Sequence, residues 1–281
     1  MIQINFFKFT SVDNGLAQLL VSVVPTSEHE IAADVVRSLR LFNQADAPNL
    51  SALADVAVLL CLPPHAVLLK EGEQPEFLHV VLEGSVELFA CSNDREVSMN
   101  VIRAGRALMP EAVVRNWLYL ASARILEATR LVAISAETVR NIFERDQVFA
   151  RAMANEIADS CSEIFDEFRN QKLRTSIERF AWWIVRTNTR YGSSGKFRIP
   201  YDRRTLASLL AMTPENLSRS IRTLIDYGVT VRGREVILTD PSALIRLAKP
   251  SVIIEDLSRA EAPSTSLVLD LDQGHPRSSA S

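Results

Sequence analysis

The sequence predicts an α+β protein: an N-terminal β-roll, a long connecting helix and a C-terminal winged helix-turn-helix. Three observations carry this prediction. Between Leu62 and Ile134, short β-rich runs alternate with turn residues. From Phe149 to Phe168, apolar residues recur every three or four positions. Between Asp202 and Leu238, two short amphipathic helical patterns precede a hairpin with a basic tip.

The 281 residues suffice for two ordinary domains, and 47% hydrophobic with 23% charged residues is a globular composition. The longest apolar run, Val56 to Leu69, is interrupted by Pro63, Pro64 and His65, too short a span for a bilayer. The N-terminus has no apolar region followed by a cleavage site, so no signal peptide is expected. Cys61, Cys91 and Cys161 are far apart, which fits a reducing, cytoplasmic compartment, each read as a small buried apolar residue. The net charge of −3 hides an asymmetry. Gln171 to Pro250 holds 15 Lys or Arg against 6 Asp or Glu, a local +9, so the rest of the chain carries −12. A basic block on an acidic remainder points to a polyanion-binding module, with a merely solvated basic surface as the alternative.

The domain boundaries follow: residues 1–30 an N-terminal extension, 31–135 the β-roll sensor domain, 136–168 a dimerisation helix, 169–250 the winged helix-turn-helix and 251–281 a disordered tail. Ile31 to Leu41 reads as a helix with Val35, Val36, Leu39 and Phe42 near one face, and Leu50 to Leu60 as another. The strand runs are Ala66–Lys70, Phe77–Leu82, Ser85–Cys91, Val97–Ile102, Ala121–Glu127 and Arg130–Ile134. Ser135 is the expected N-cap of the long helix. Its stripe of Phe149, Met153, Ile157, Cys161, Ile164 and Phe168 resembles a coiled-coil seam without a strict heptad. Packing on the chain's own β-domain would explain the stripe too. A helix of roughly 30 residues, about 45 Å long, outruns a domain of ~100 residues, which favours a homodimer seam. A further helix is expected over Lys172 to Asn188, followed by a loop at Gly192 to Gly195.

In the helix-turn-helix, Asp202 can cap the first helix, whose apolar face is Leu206, Leu209 and Leu210. After the turn Ala211-Met212-Thr213, Thr213 is a suitable N-cap and Pro214 stands at the first helical position, where a missing N–H costs nothing. Leu217, Ile221 and Leu224 form the buried side, leaving Glu215, Ser218, Arg219 and Arg222 open for a major groove. Val229-Thr230-Val231 and Glu235 to Leu238 flank Arg232-Gly233-Arg234, a wing whose tip would meet phosphates.

These segments carry a resemblance. From about residue 31 to 250 the chain resembles the CRP/FNR superfamily of bacterial transcription regulators. The motifs are Glu71-Gly72-Glu73, Val80 to Gly84, the long helix, Asp202 to Ala207, and Met212 to Arg219 with its E-x-x-S-R pattern at Glu215, Ser218 and Arg219. The resemblance implies a cyclic-nucleotide-binding-like β-roll and a homodimer on double-stranded DNA, with an inverted repeat resembling TTGAT-N4-ATCAA. RNA polymerase is the further partner it implies, and no membrane is involved. Arg219 would read guanine, Glu215 the cytosine amino group and Ser218 a thymine, assignments that agree with base-edge chemistry. Thr213, Arg203, Arg204, Arg222, Arg232 and Arg234 complete the expected DNA-binding set.

The sensor half departs from the pattern. Cyclic-nucleotide-binding members of the family hold the ribose with a Gly-Glu glutamate and the phosphate with an arginine before Ser/Thr-Ala. The matching segments here are Pro110-Glu111 and Ala121-Ser122-Ala123. Glu111 and Ser122 survive, but Ala121 replaces the cation, and Arg124, three residues on, would face the other side of a strand. Without a cation a buried phosphate is poorly compensated, so cyclic AMP binding is not expected and the effector is left open. Three cysteines fall short of an iron–sulfur cluster's four thiolates. Haem ligation by His65 or His79, or a redox role for Cys161, stands against the plainer reading of ordinary strand or seam residues.

Catalysis finds little support. His29-Glu30 lacks the second histidine of a zinc-protease helix, since Ala33 stands there. Gly195-Lys196 lacks the P-loop's Ser/Thr and first glycine, and Gly192 to Gly195 is no nucleophile elbow. The competing class is a β-roll regulatory module whose winged helix contacts protein.

Overall fold

The computed structural model describes residues 26 to 249 apart from Asp94. Most of the expected N-terminal extension and the whole expected C-terminal tail lie outside the described residues.

Two helices, α1 (Thr26–Ser38) and α2 (Ala47–Asp55), lead into seven strands and a short helix. These are β1 (Val58–Leu62), β2 (Val67–Leu69), β3 (Phe77–Glu83), β4 (Ser85–Ser92), β5 (Arg95–Arg103), α3 (Pro110–Arg115), β6 (Ser122–Ile125) and β7 (Thr129–Ser135). The helix expected over Leu50–Leu60 is therefore shorter. Its second half is strand β1, whose Val58-Leu59-Leu60 pairs with Leu131-Val132-Ala133 of β7. A short apolar run does not distinguish a buried strand from a buried helix by period alone.

The strands form two antiparallel sheets, ordered β1-β7-β3 and β2-β6-β4-β5. Strand β7 shows why they stack as a roll. Leu131 and Ala133 face the core between the sheets, while Val132 and Ile134 face α1, α2 and the helices that follow. Both faces are covered, so the strand reads as an unbroken apolar run. The β3–β4 turn requires Gly84: its φ is +86°, and a Cβ there would stand 2.8 Å from the Ala128 carbonyl oxygen.

The long helix expected from 136 to 168 is two helices, α4 (Ala136–Arg145) and α5 (Gln147–Leu173). The break is Asp146. Its buried carboxylate accepts from the backbone of Val148 and Phe149 at the start of α5, and from the Asp46 N–H and the Asn49 amide near α2. One side chain thus caps α5 and ties it to the β-roll.

The second half comprises α6 (Ser176–Arg190), β8 (Lys196–Arg198), α7 (Arg203–Leu209), α8 (Pro214–Leu224), β9 (Val229–Arg232), β10 (Glu235–Leu238) and α9 (Pro241–Ala248). The expected two-stranded wing is a three-stranded sheet, β8-β10-β9. Phe180, Ile184, Leu206, Leu217, Leu224, Val236 and Leu244 fill its core. Helix α9 closes the domain against α6, where Arg174 donates to the Ala248 and Lys249 carbonyls. Among the described residues no helix is long and apolar enough to cross a membrane.

Candidate nucleic-acid interface and effector fold

Each helix of the α7–α8 pair starts on a side-chain cap. Asp202 accepts from the Thr205 N–H at 2.8 Å, and Thr213 Oγ1 from the Asn216 N–H at 3.2 Å. Pro214 occupies the first turn of α8. Between the helices, Ala211 has a φ of +49°. Arg179, a residue the sequence reading missed, holds this turn from α6. Its guanidinium donates to the Leu210 carbonyl at 2.9 Å, the Ala211 carbonyl at 3.1 Å and the Arg174 carbonyl at 2.7 Å. No local pattern reveals such a staple, because its partners in the turn are backbone groups some 30 positions away.

With Leu217 and Leu224 buried, α8 turns Thr213, Glu215, Arg219 and Arg222 to solvent. The Glu215 carboxyl is held below the usual range by its own backbone N–H, by the Thr213 hydroxyl and by Arg219. It is therefore anionic at neutral pH and able to accept from an amino group. Ser218 is half-buried, and its hydroxyl donates to the Pro214 carbonyl at 2.9 Å, which leaves its lone pairs outward. Arg203, Arg204 and Arg232 are exposed. Arg234 is exposed as well, but its guanidinium reaches the Pro200 carbonyl at 3.3 Å, tying the wing to the loop before α7.

The stripe on α5 divides. Phe149 and Met153 are fully buried in the β-roll's own core, with Phe149 stacked on Phe42 at 6.1 Å. These two do not belong to an intersubunit seam, because the sheet-side core already covers them. Ile157 packs partly on the same core. Beyond it Cys161, Ile164 and Phe168 are exposed, and so is Phe165, which the stripe omitted.

In the β-roll, Glu111 is half-buried in the first turn of α3, and burial raises its carboxyl above the ordinary range. Ala121 is buried against the same inner core as Met109 and Ala112. Ser122 accepts from the Glu71 N–H at 3.0 Å. Arg124 faces away: it pairs with the buried Glu87 at 2.7 Å and with Glu96 at 2.8 Å. Arg115 lies 5.0 Å from the centre of the Trp117 ring.

Two expectations need correction. The cysteines are not core residues, since Cys61, Cys91 and Cys161 are all exposed. The two histidines also occupy unlike places. His79 is buried in β3 beside Phe77, and burial lowers its pKa to about 4, whereas His65 is exposed at a turn with a φ of +71°.

The halves touch through β5. The Ser98 N–H donates to Ser208 of α7 at 2.8 Å, and Val101 is buried in the second domain's core.

Comparison with known proteins agrees with this geometry. The model of the cyclic nucleotide-binding domain matches residues 59–146, and that of the Crp-like helix-turn-helix domain matches residues 178–247. No curated protein matches the chain significantly in sequence. Among solved structures, FixK2 from Bradyrhizobium japonicum is 19% identical with a TM-score of 0.64, the match covering 70% of this chain and 99% of that one. TTHA1359, a CRP/FNR-family transcriptional regulator from Thermus thermophilus, is 17% identical with a TM-score of 0.55, covering 69% and 98%. A CooA variant from Carboxydothermus hydrogenoformans is 16% identical with a TM-score of 0.57, covering 68% and 88%. At these identities the likeness is one of fold. A cyclic-nucleotide-binding-type β-roll joined by a long helix to a Crp-like helix-turn-helix defines a two-domain transcription regulator. The chain belongs to the CRP/FNR superfamily.

Proposed function

We propose that this chain acts in the cytoplasm as a homodimeric regulator, binding an inverted repeat resembling TTGAT-N4-ATCAA and acting through RNA polymerase. The observation that carries the reading is α8: a capped helix in a basic domain, with Glu215 and Arg219 one turn apart on its open face. Arg219 pairs with guanine and Glu215 with the cytosine amino group, while Ser218 lies between them. Thr213, Arg203, Arg204, Arg222, Arg232 and Arg234 contribute the phosphate side of the contact.

The test compares operator with scrambled DNA at several salt concentrations. Arg219→Ala should cost roughly 1–3 kcal/mol on the operator and less on scrambled DNA. Arg232→Ala should weaken both about equally and lower the salt slope by about one per half-site. Equal loss on both DNAs for Arg219→Ala would overturn the recognition helix. Absence of any DNA binding at low salt would favour a winged helix that contacts protein.

The dimer reading rests on Ile164, Phe165 and Phe168, which are 60%, 69% and 56% exposed on one chain, with Ile157 and Cys161 beside them. Phe168→Glu should yield a monomer by light scattering, and an unchanged dimer would refute this seam.

The β-roll is proposed not to take cyclic AMP, because Ala121 supplies no charge for the phosphate and Arg124 is committed to Glu87 and Glu96. Calorimetry showing micromolar cyclic AMP binding would reverse this. No iron–sulfur cluster is proposed, because three cysteines fall short of four thiolates, and haem at His65 or His79 stays a secondary reading.

A further inference from the structure

Outside the cassette, an open space lies between the two halves of the chain. It is a cavity of about 470 Å³, walled by β5, by the Arg151–Asn170 stretch of α5, by α6 and by the start of the helix-turn-helix. That volume is the size of a small-molecule site, and domain junctions are where such sites concentrate.

Three lining groups argue for a ligand. The indole N–H of Trp182, the side-chain amide nitrogen of Asn170 and the hydroxyl of Tyr201 have no hydrogen-bond partner of good geometry, Asn170 having only the Glu167 carboxyl and Tyr201 only the Trp183 indole close by. These residues are 5%, 3% and 2% exposed, so bulk water does not serve them. All three can donate. Burial pushes the Tyr201 hydroxyl up to about 12, so it keeps its proton at neutral pH. Buried donors in folded proteins are normally paired, and an unpaired set around one space calls for an acceptor there.

The charge has a sign as well. Seven arginines line the cavity against four carboxylates. Two of those carboxylates, Glu156 and Glu163, are already held by Arg106, and burial raises the carboxyl of Glu167. Arg40 and Arg151 are exposed at the rim. Trp182, Trp183 and Tyr201 add flat aromatic surface.

We propose that this interdomain cavity is the effector site of the protein and takes a flat organic anion of metabolite size. Acceptors of the anion meet the Trp182, Asn170 and Tyr201 donors, and its charge meets Arg40 and Arg151, since Arg106, Arg179 and Arg186 are held by Glu156 and Glu163, by backbone carbonyls and by Asp166. The role as effector site rests on the regulator reading above. A ligand here touches β5 on one side and Leu209 and Leu210, at the end of α7, on the other. It therefore biases how the β-roll seats on the helix-turn-helix, where Ser98 meets Ser208.

The probe is 8-anilinonaphthalene-1-sulfonate, an aromatic sulfonate, titrated into the full-length protein without DNA and read by energy transfer from tryptophan. The titration can therefore fail while DNA recognition stands. One saturable site per chain is expected. Tyr201→Phe should weaken it roughly tenfold, the loss of one hydrogen bond to a charged acceptor. Arg151→Ala should weaken it too. Tyr201→Phe keeps the ring and its packing, and its melting temperature, measured alongside, separates lost binding from lost folding. Leu120→Ser, which removes an exposed apolar side chain outside both the cavity and the seam, should leave the site intact. No saturable binding, or binding that falls with Leu120→Ser and ignores both Tyr201→Phe and Arg151→Ala, would overturn the proposal.

Discussion

Helices α3 and α8 both open on Pro-Glu, at Pro110-Glu111 and Pro214-Glu215, and the two glutamates stand in opposite electrostatic settings. Glu215 is solvated, follows a threonine cap and has Arg219 one turn on, and its carboxyl is held low. Glu111 is half-buried behind Met109, which has a φ of +42° and no side-chain cap, and its carboxyl is raised. The difference is one of neighbours. At α8 the surrounding basic domain supports a charge offered outward. At α3, the neighbouring Ala121 brings no charge, and burial raises the carboxyl. On the function proposed above, the DNA-facing element keeps its charges and the nucleotide-facing one has lost half of them.

The largest effect should come from removing each carboxylate and reading DNA. Glu215→Ala should relax discrimination at one base pair of each half-site by roughly 1–3 kcal/mol, seen by binding a panel of single-base operator variants. Glu111→Gln should leave that panel unchanged. If Glu111→Gln altered base preference, α3 would be coupled to recognition and the contrast would fail.

A smaller effect tests the caps. Thr213→Ala should cost about 1 kcal/mol in chemical denaturation, since it frees the Asn216 N–H at a helix end. Met109 offers no equivalent bond to lose. Helix α3 is held instead by Pro110, Ala112 and Val113, all buried.

The same contrast marks what the sequence made legible. The caps of α7 and α8 were readable because a cap is local: Asp202 and Thr213 act on residues three positions on. The same grammar, Asp240-Pro241, begins α9, which the reading passed over. Periodicity places an apolar face without naming what covers it. Phe149 and Phe168 share one stripe, yet the first is covered by the β-roll and the second is open. Asp146 interrupts the stripe's helix because a carboxylate can gather four hydrogen bonds there, two of them from residues about 100 positions away. The unpaired donors around the interdomain cavity belong to the same class. They are defined by which groups fail to meet, and no local pattern encodes a missing partner.

The smallest effect is the dependence of stability on pH, and its sign is the sharpest test of the contrast. Burial raises the Glu111 carboxyl above its ordinary value of 4.5, so the folded chain holds that proton more tightly than the unfolded one. Its contribution is complete below the unfolded pKa and is lost as pH climbs through the raised folded value. Glu215 runs the other way. Its carboxyl is held below 4.5 by backbone and Thr213 hydrogen bonds, so its contribution is present above that value and lost as pH falls. Glu111→Gln should therefore flatten the decline in stability just above the normal glutamate range and leave the protein at least as stable at pH 7, where the wild-type carboxylate is charged and half-buried. Denaturation midpoints of wild type and variant from pH 4 to 7 read this directly. A variant less stable at pH 7 would mean that a cation faces Glu111 after all. The cassette would then hold the charge that Ala121 lacks, and the case against cyclic AMP would lose its footing.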